Sequence, residues 1–218
     1  MANATLTINS RNYGTWSLRS WLLCRMAGLD FDTVVIHGDD PASRAELLLL
    51  SPSFLVPCLE HDGVRVWDTM AIAEHLQEAL PDSTLLPDDP VVRAHCRSIC
   101  GEMHSGFQDL RSALPMNLRR KHSKFKVYSG ALEDIDRVFE IWRECFERYG
   151  GPWLFGKKQC MADAMYAPVC ARFSGYGVDL DRACAAYVRK VLSSPLMKEW
   201  VAAAMEEPEI FNELEMEF

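Results

Sequence analysis

The sequence predicts an α/β unit over residues 1–80 followed by an all-α unit over residues 91–218, and three observations carry that prediction. Strand-like and helix-like patterns alternate up to residue 80. Residues 81–90, "PDSTLLPDDP", hold three prolines and three aspartates without periodicity, the composition of a linker between compact units. Beyond Pro90 the strand signals disappear and helical spacing takes over.

"TLTIN" at residues 5–9 reads as a short strand, and Leu18, Leu22 and Met26 then follow helical spacing up to Gly28, a residue suited to a helix C-cap. "DTVVIH" at 32–37 has the β-branched content of a second strand. "PASRAELLLLSPS" at 41–53 places Pro41 at a first helical position and ends near Pro52, which predicts a short helix. Two strands follow, Pro57 to His61 and Val64 to Trp67, with "HDG" as the hairpin signal between them. A helix starts at Asp68 or Thr69 and places Ile72, Ala73, Leu76 and Leu80 on one face, completing a βαβαββα order. In the second unit helices are predicted over 91–114, 132–149, 161–175, 181–193 and 195–205, punctuated by Gly151-Pro152 and Pro195.

At 218 residues, with 49% hydrophobic and 25% charged residues, the chain has the composition of a folded globular protein. Its net charge of -8 and the absence of a long basic run, the densest positive stretch being "LRRKHSKFK" at 118–126, predict a solvated basic loop and no nucleic-acid partner. Apolar runs such as "ELLLLSPSFLVPCL" are broken by Ser and Pro short of the about 18 residues a membrane span needs. The N-terminus carries no basic flank or long apolar core, so the expected location is cytoplasmic and no membrane is involved. The 8 cysteines are scattered without a CxxC pair, and Cys96 and Cys100, a helical turn apart, lack a second cluster. Reduced, buried thiols and no metal are the expectation.

A βαβαββα unit containing "LVPCL" and "WDTMAIAEHL", a proline-rich linker and a helical domain together resemble the cytosolic glutathione transferase family over nearly the whole chain. "EMHSGF" at 102–107 and "ADAMYAPVCARF" resemble bacterial, serine-type members. The resemblance implies a first domain of thioredoxin-like fold, a C-terminal helical bundle, and a homodimer that uses glutathione as co-substrate. It makes Pro57 a cis proline that frees the Val56 backbone to pair with the cysteinyl residue of glutathione, where the residues alone read as a strand-initial proline. Asp68 and Thr69 would take the ammonium and α-carboxylate of the γ-glutamyl group, a role compatible with N-capping. Leu55, with Phe54, stands where many relatives carry a Lys, Arg or Gln reaching the glycyl end, which implies weaker binding there.

The resemblance also implies thiol activation at the start of the first helix. Lowering a thiol pKa from about 8.5 by about two units requires roughly 2.7 kcal/mol. One charge-assisted hydrogen bond of about 1.5–3 kcal/mol, aided by the helix dipole, suffices. Thr15, Ser17 and Tyr13 are the candidate hydroxyls, taken in that order. Gly14 stands where serine-type relatives begin a Ser-Ser run, so reduced or absent conjugation is one implied outcome. No cysteine occurs in residues 10–20, and Cys24 lies two turns into the helix, which disfavours dithiol exchange. Trp16 replaces the cysteine of isomerase-type relatives and argues against maleylacetoacetate isomerase.

Met103, Phe107, Leu110 and Arg111 follow three- and four-residue spacing and are the candidate lining for a small hydrophobic electrophile; core or dimer interface explains the same stripe. His104 lies beside them. Cys160 takes the cap position of the 161–175 helix, with Asp163 three residues on as in a capping box. Two other roles remain open: a glutathione-binding stress-response module without turnover, and a glutathione-dependent peroxidase or reductase.

Overall fold

The computed structural model describes residues 4–36, 56–122 and 129–208. The helix expected over 41–53 lies outside the described residues, as do Phe54 and Leu55. Strands β1 (Ala4–Ile8), β2 (Asp32–Val35), β3 (Cys58–His61) and β4 (Val64–Trp67) form one sheet in the order β2-β1-β3-β4. β1 and β2 run parallel, Thr5 opposite Asp32 and Ile8 opposite Val35, so the chain must cross over between them, and α1 (Thr15–Met26) makes the crossing. The other two pairings are antiparallel. The β3–β4 hairpin turns through Asp62 and Gly63 at φ 50° and 77°, the left-handed pair that a tight hairpin needs. Helix α2 (Thr69–Ala79) packs against α1 and β4, which completes a thioredoxin-like unit.

The second unit is helical: α3 (Pro90–Ser105), α4 (Gln108–Ala113), α5 (Ser129–Tyr149), α6 (Met161–Tyr176), α7 (Arg182–Leu192) and α8 (Pro195–Met205). Asp89, Asp181 and Ser194 cap α3, α7 and α8 through their side chains. The single helix expected over 91–114 is two. Gly106 closes α3 by donating its N–H to Glu102 O at 2.9 Å, and Phe107 then adopts a left-handed conformation with φ 61°. A Cβ on Gly106 would sit 2.8 Å from that same oxygen, so the break needs glycine. It turns α4 back until Arg111 donates to the carbonyl of His104 at 3.1 Å.

Helices α1 and α6 lie against each other in the interior. Ser17 through Cys24 are buried without interruption, which is why α1 has no clean amphipathic stripe. Leu85 and Leu86 of the proline-rich segment join the same buried cluster as both units, and Met161 N–H donates to Leu85 O at 2.6 Å. Asp163 is fully buried; its carboxylate accepts from the N–H groups of Cys160 (2.8 Å) and Leu154 (3.1 Å) and from the Tyr187 hydroxyl (2.9 Å). All 8 cysteines are free and buried, and burial pushes the Cys145 thiol up to about 12. No described helix is long and apolar enough to cross a membrane.

Candidate functional site

Between the end of β1 and the start of α1 the chain makes a polar turn whose donors are used in sequence. Arg11 N–H and Asn12 N–H reach the Glu207 carboxylate at 2.6 and 3.1 Å, Tyr13 N–H reaches Ser10 Oγ at 3.1 Å, and Gly14 N–H reaches Ser10 O at 3.0 Å. Helix α1 then begins at Thr15, where first-turn N–H groups have no intrahelical acceptor and favour an anion.

The three candidate hydroxyls have different surroundings. Ser17 is fully buried and donates to Asn9 Oδ1 at 2.6 Å. The Tyr13 ring is buried and its hydroxyl accepts from Arg119 at 3.2 Å. Thr15 is half-buried at the first helical position, and its hydroxyl makes no hydrogen bond among the described residues. The glycine before it is obligatory, since a Cβ at Gly14 would lie 2.2 Å from Ser10 O and 2.3 Å from Asn9 Oδ1.

Two more pieces of backbone have unusual geometry. The Val56–Pro57 peptide is cis, at the entry to β3. Asp68 caps α2 from a left-handed conformation, φ 78°, accepting from Met70 N–H at 2.8 Å with one oxygen and meeting His104 Nε2 at 3.1 Å with the other. Thr69 is buried and its hydroxyl is turned toward α1, accepting from Ser20 Oγ at 3.2 Å.

Trp16 gathers groups from both units. The guanidinium groups of Arg19 and Arg111 lie 4.5 and 4.8 Å from its ring centre, and the His104 ring approaches edge-on at 4.9 Å. Arg19 and Arg172 are buried and spend their Nε donors on the carbonyls of Met165 (2.8 Å) and Leu114 (2.7 Å), leaving Arg19 Nη1 buried without a partner. None of these three arginines forms an ion pair with a carboxylate among the described residues. Burial, then the charges of Arg111 and Arg172, hold Arg19 well below the usual arginine range; burial and Arg111 bring Arg172 down to about 10.

Among the expected lining residues Arg111 lies over the Trp16 ring, and Met103, Phe107 and Leu110 are buried in the core. Glu207, Asn12 and Arg19 were not singled out by the sequence, and Asn12, fully buried with its side chain bonded to Leu118 N–H and Asn117, belongs to the same turn.

Residues 13–79, the segment that holds Thr15, Pro57 and Asp68, match the glutathione S-transferase N-terminal domain. Over 174 residues, 78% of each chain, the sequence is 29% identical to maleylacetoacetate isomerase from Rattus norvegicus, and over 170 residues it is 27% identical to glutathione S-transferase 1 from Dianthus caryophyllus, covering 76% of this chain and 75% of that one. The first unit thus carries a glutathione S-transferase N-terminal domain. Solved glutathione transferases share the whole fold: a glutathione transferase homologue from Burkholderia with bound glutathione aligns at TM-score 0.71 and 22% identity, covering 95% of this chain and 100% of that one. A glutathione S-transferase from Laternula elliptica aligns at TM-score 0.70 and 19% identity over 94% of this chain and 95% of that one.

Proposed function

We propose that this chain is a glutathione S-transferase superfamily protein that binds glutathione on its first unit, stabilises the thiolate with the Thr15 hydroxyl and the α1 N-terminus, and adds it to a small electrophile lying against Trp16. The observation that carries this reading is the state of the three hydroxyls: Ser17 and Tyr13 are engaged inside the protein, whereas Thr15 makes no hydrogen bond among the described residues and opens a helix. The Val56 backbone would pair with the cysteinyl residue of the peptide, while Asp68 would receive its ammonium group. The Thr69 backbone N–H is the group left for the α-carboxylate, since its hydroxyl faces Ser20. Leu55 stays assigned to the glycyl end. In the chemical step the thiolate sulfur bonds to the electrophilic carbon, and the displaced group, or the electron pair of a double bond, leaves or takes a proton from solvent.

A second reading has its own support. Arg19, Arg111 and Arg172 form a positive cluster behind Trp16 that makes no ion pair with a carboxylate among the described residues, Asp134 acting on Arg111 only at longer range, which favours an electrophile bearing carboxylates. Several relatives carry the name maleylacetoacetate isomerase. On an unsaturated acid the same thiolate would add to one alkene carbon, allow rotation about the resulting single bond, and be expelled as the double bond re-forms. Trp16, in the position of the isomerases' cysteine, means that the Thr15 hydroxyl would have to hold the thiolate in this reaction too.

The reading also makes the protein a cytoplasmic homodimer, supported by the exposure of Val64 (49%) and Trp67 (39%) on the edge strand β4. The deciding experiment is glutathione calorimetry with the ultraviolet thiolate band followed against pH. Binding with a depressed thiol pKa that Thr15→Ala raises by about a unit or more supports the transferase. Binding with an ordinary pKa supports a non-catalytic module. Turnover of a hydroperoxide above that of an aryl halide would transfer the role to a peroxidase.

A further inference from the structure

We infer that Glu207, just past the C-terminal end of α8, is a positioning residue for the thiol site: its carboxylate sets the β1–α1 turn so that the first free N–H and the first free hydroxyl of α1 both belong to Thr15. The inference rests on the reading of Thr15 given above.

The residue is almost fully buried and lies 195 to 197 positions along the chain from what it binds. One carboxylate oxygen accepts from Arg11 N–H at 2.6 Å; the other accepts from the Ser10 hydroxyl at 2.7 Å and from Asn12 N–H at 3.1 Å. These are three consecutive residues of one turn, and the bonds are of the charge-assisted kind.

Ser10 passes the effect onward. A hydroxyl has one proton and two acceptor lobes. The proton is committed to Glu207, so both lobes face the chain and receive Asn12 N–H at 3.0 Å and Tyr13 N–H at 3.1 Å. The Ser10 carbonyl takes Gly14 N–H. Every N–H from Arg11 to Gly14 is thereby used, and the helix can offer an anion nothing earlier than Thr15. Without a carboxylate at 207 the Ser10 proton has to find another acceptor, its lobes rotate, and the N–H groups of Asn12 and Tyr13 are released.

Other groups from the second unit hold the same turn, which isolates what Glu207 adds. Trp200 Nε1 donates to Arg11 O at 2.9 Å, Arg119 donates to the Glu207 carbonyl at 2.5 Å, and Asn12 Oδ1 accepts from Leu118 N–H at 2.7 Å. None of them touches the Ser10 hydroxyl or the N–H groups of residues 11 to 13. Loss of the Glu207 side chain should therefore leave the turn docked but wrongly set.

The test compares full-length wild type, Glu207→Ala and Glu207→Gln by two readouts. Amide hydrogen exchange without ligand is expected to quicken by about tenfold over residues 11 to 14 in Glu207→Ala, with α6 unchanged. The thiol pKa of bound glutathione is expected to rise by about half a unit to one unit, with glutathione affinity changed by less than about threefold. Glu207→Gln keeps one oxygen and should fall between the two on both measures, and it replaces the alanine variant if that one does not fold. Unchanged exchange at residues 11 to 14 overturns the inference. So does an unchanged thiol pKa where the wild type shows a depressed one. A wild type with an ordinary thiol pKa defeats the reading of Thr15 instead, and the exchange result then decides alone whether Glu207 sets the turn.

Discussion

The carboxylate of Asp68 lies 3.1 Å from Nε2 of His104, joining the first residue before α2 to the last turn of α3. The two units therefore meet at a residue proposed to receive the ammonium group of glutathione. The pair is partly exposed, with side-chain exposures of 44% and 28%, so its worth to stability is small. Its worth to binding is the fixed direction of the second Asp68 oxygen. We expect His104→Ala to weaken glutathione binding by about threefold and Asp68→Ala by about tenfold or more, read by calorimetry. Equal effects would mean that Asp68 has no direct contact with the peptide.

Ser17 and Thr15 separate stability from chemistry. Ser17→Ala removes the hydroxyl that both donates to Asn9 Oδ1 and accepts from Asn9 N–H. It should cost about 1–3 kcal/mol in denaturant unfolding while leaving the thiol pKa in place. Thr15→Val keeps the shape, costs little stability, and raises that pKa.

Gly14 cannot be restored to serine. The new Cβ would meet the Ser10 carbonyl, which is backbone and already bonded to Gly14 N–H. Gly14→Ser should lower stability by about 1–3 kcal/mol and lower turnover with it, measured by thermal melting and an aryl halide assay.

On the proposed reading, the charge of Arg111 should discriminate between electrophiles. Arg111→Gln should slow an α,β-unsaturated dicarboxylate by about tenfold or more in kcat/KM and leave a neutral aryl halide within about twofold. Similar losses on both would assign Arg111 to holding the α3–α4 break through its bonds to the carbonyls of Met103 and His104.

Asp163 gives a pH signature. Burial pushes its carboxyl up to about 6, against the pull of its three donors. A folded value raised above the unfolded one means that the folded state holds the proton more tightly. The contribution to stability is complete below about pH 4 and is lost as pH rises through about 6. The stability of the wild type relative to Asp163→Asn should therefore fall by about 2 kcal/mol between pH 4 and pH 7.5 in urea titrations.

Local signals carried the fold. Apolar spacing, "HDG" and the Pro and Gly punctuation placed each described strand and nearly every helix, because each of those signals acts within a few residues. The break at Gly106 was missed because one glycine in a helical pattern is ambiguous until the next residue, Phe107, is seen to go left-handed. At the site, the hydroxyl-rich turn was legible, but the commitment of Ser17 to Asn9 was not. Arg111 was legible only as part of a helical stripe, while Glu207 and Arg19 gave no signal; the backbone partners of Glu207 lie at least 195 positions away in sequence and nothing near it announces the contact.

The turn before α1 holds no sulfur and all 8 cysteines are interior, so the protein exposes no thiol of its own to reactive carbon. Burial keeps the Cys24, Cys145 and Cys170 thiols protonated as well as covered. Under the proposed function, the thiol that an electrophile would meet is the bound one and not a cysteine of the chain.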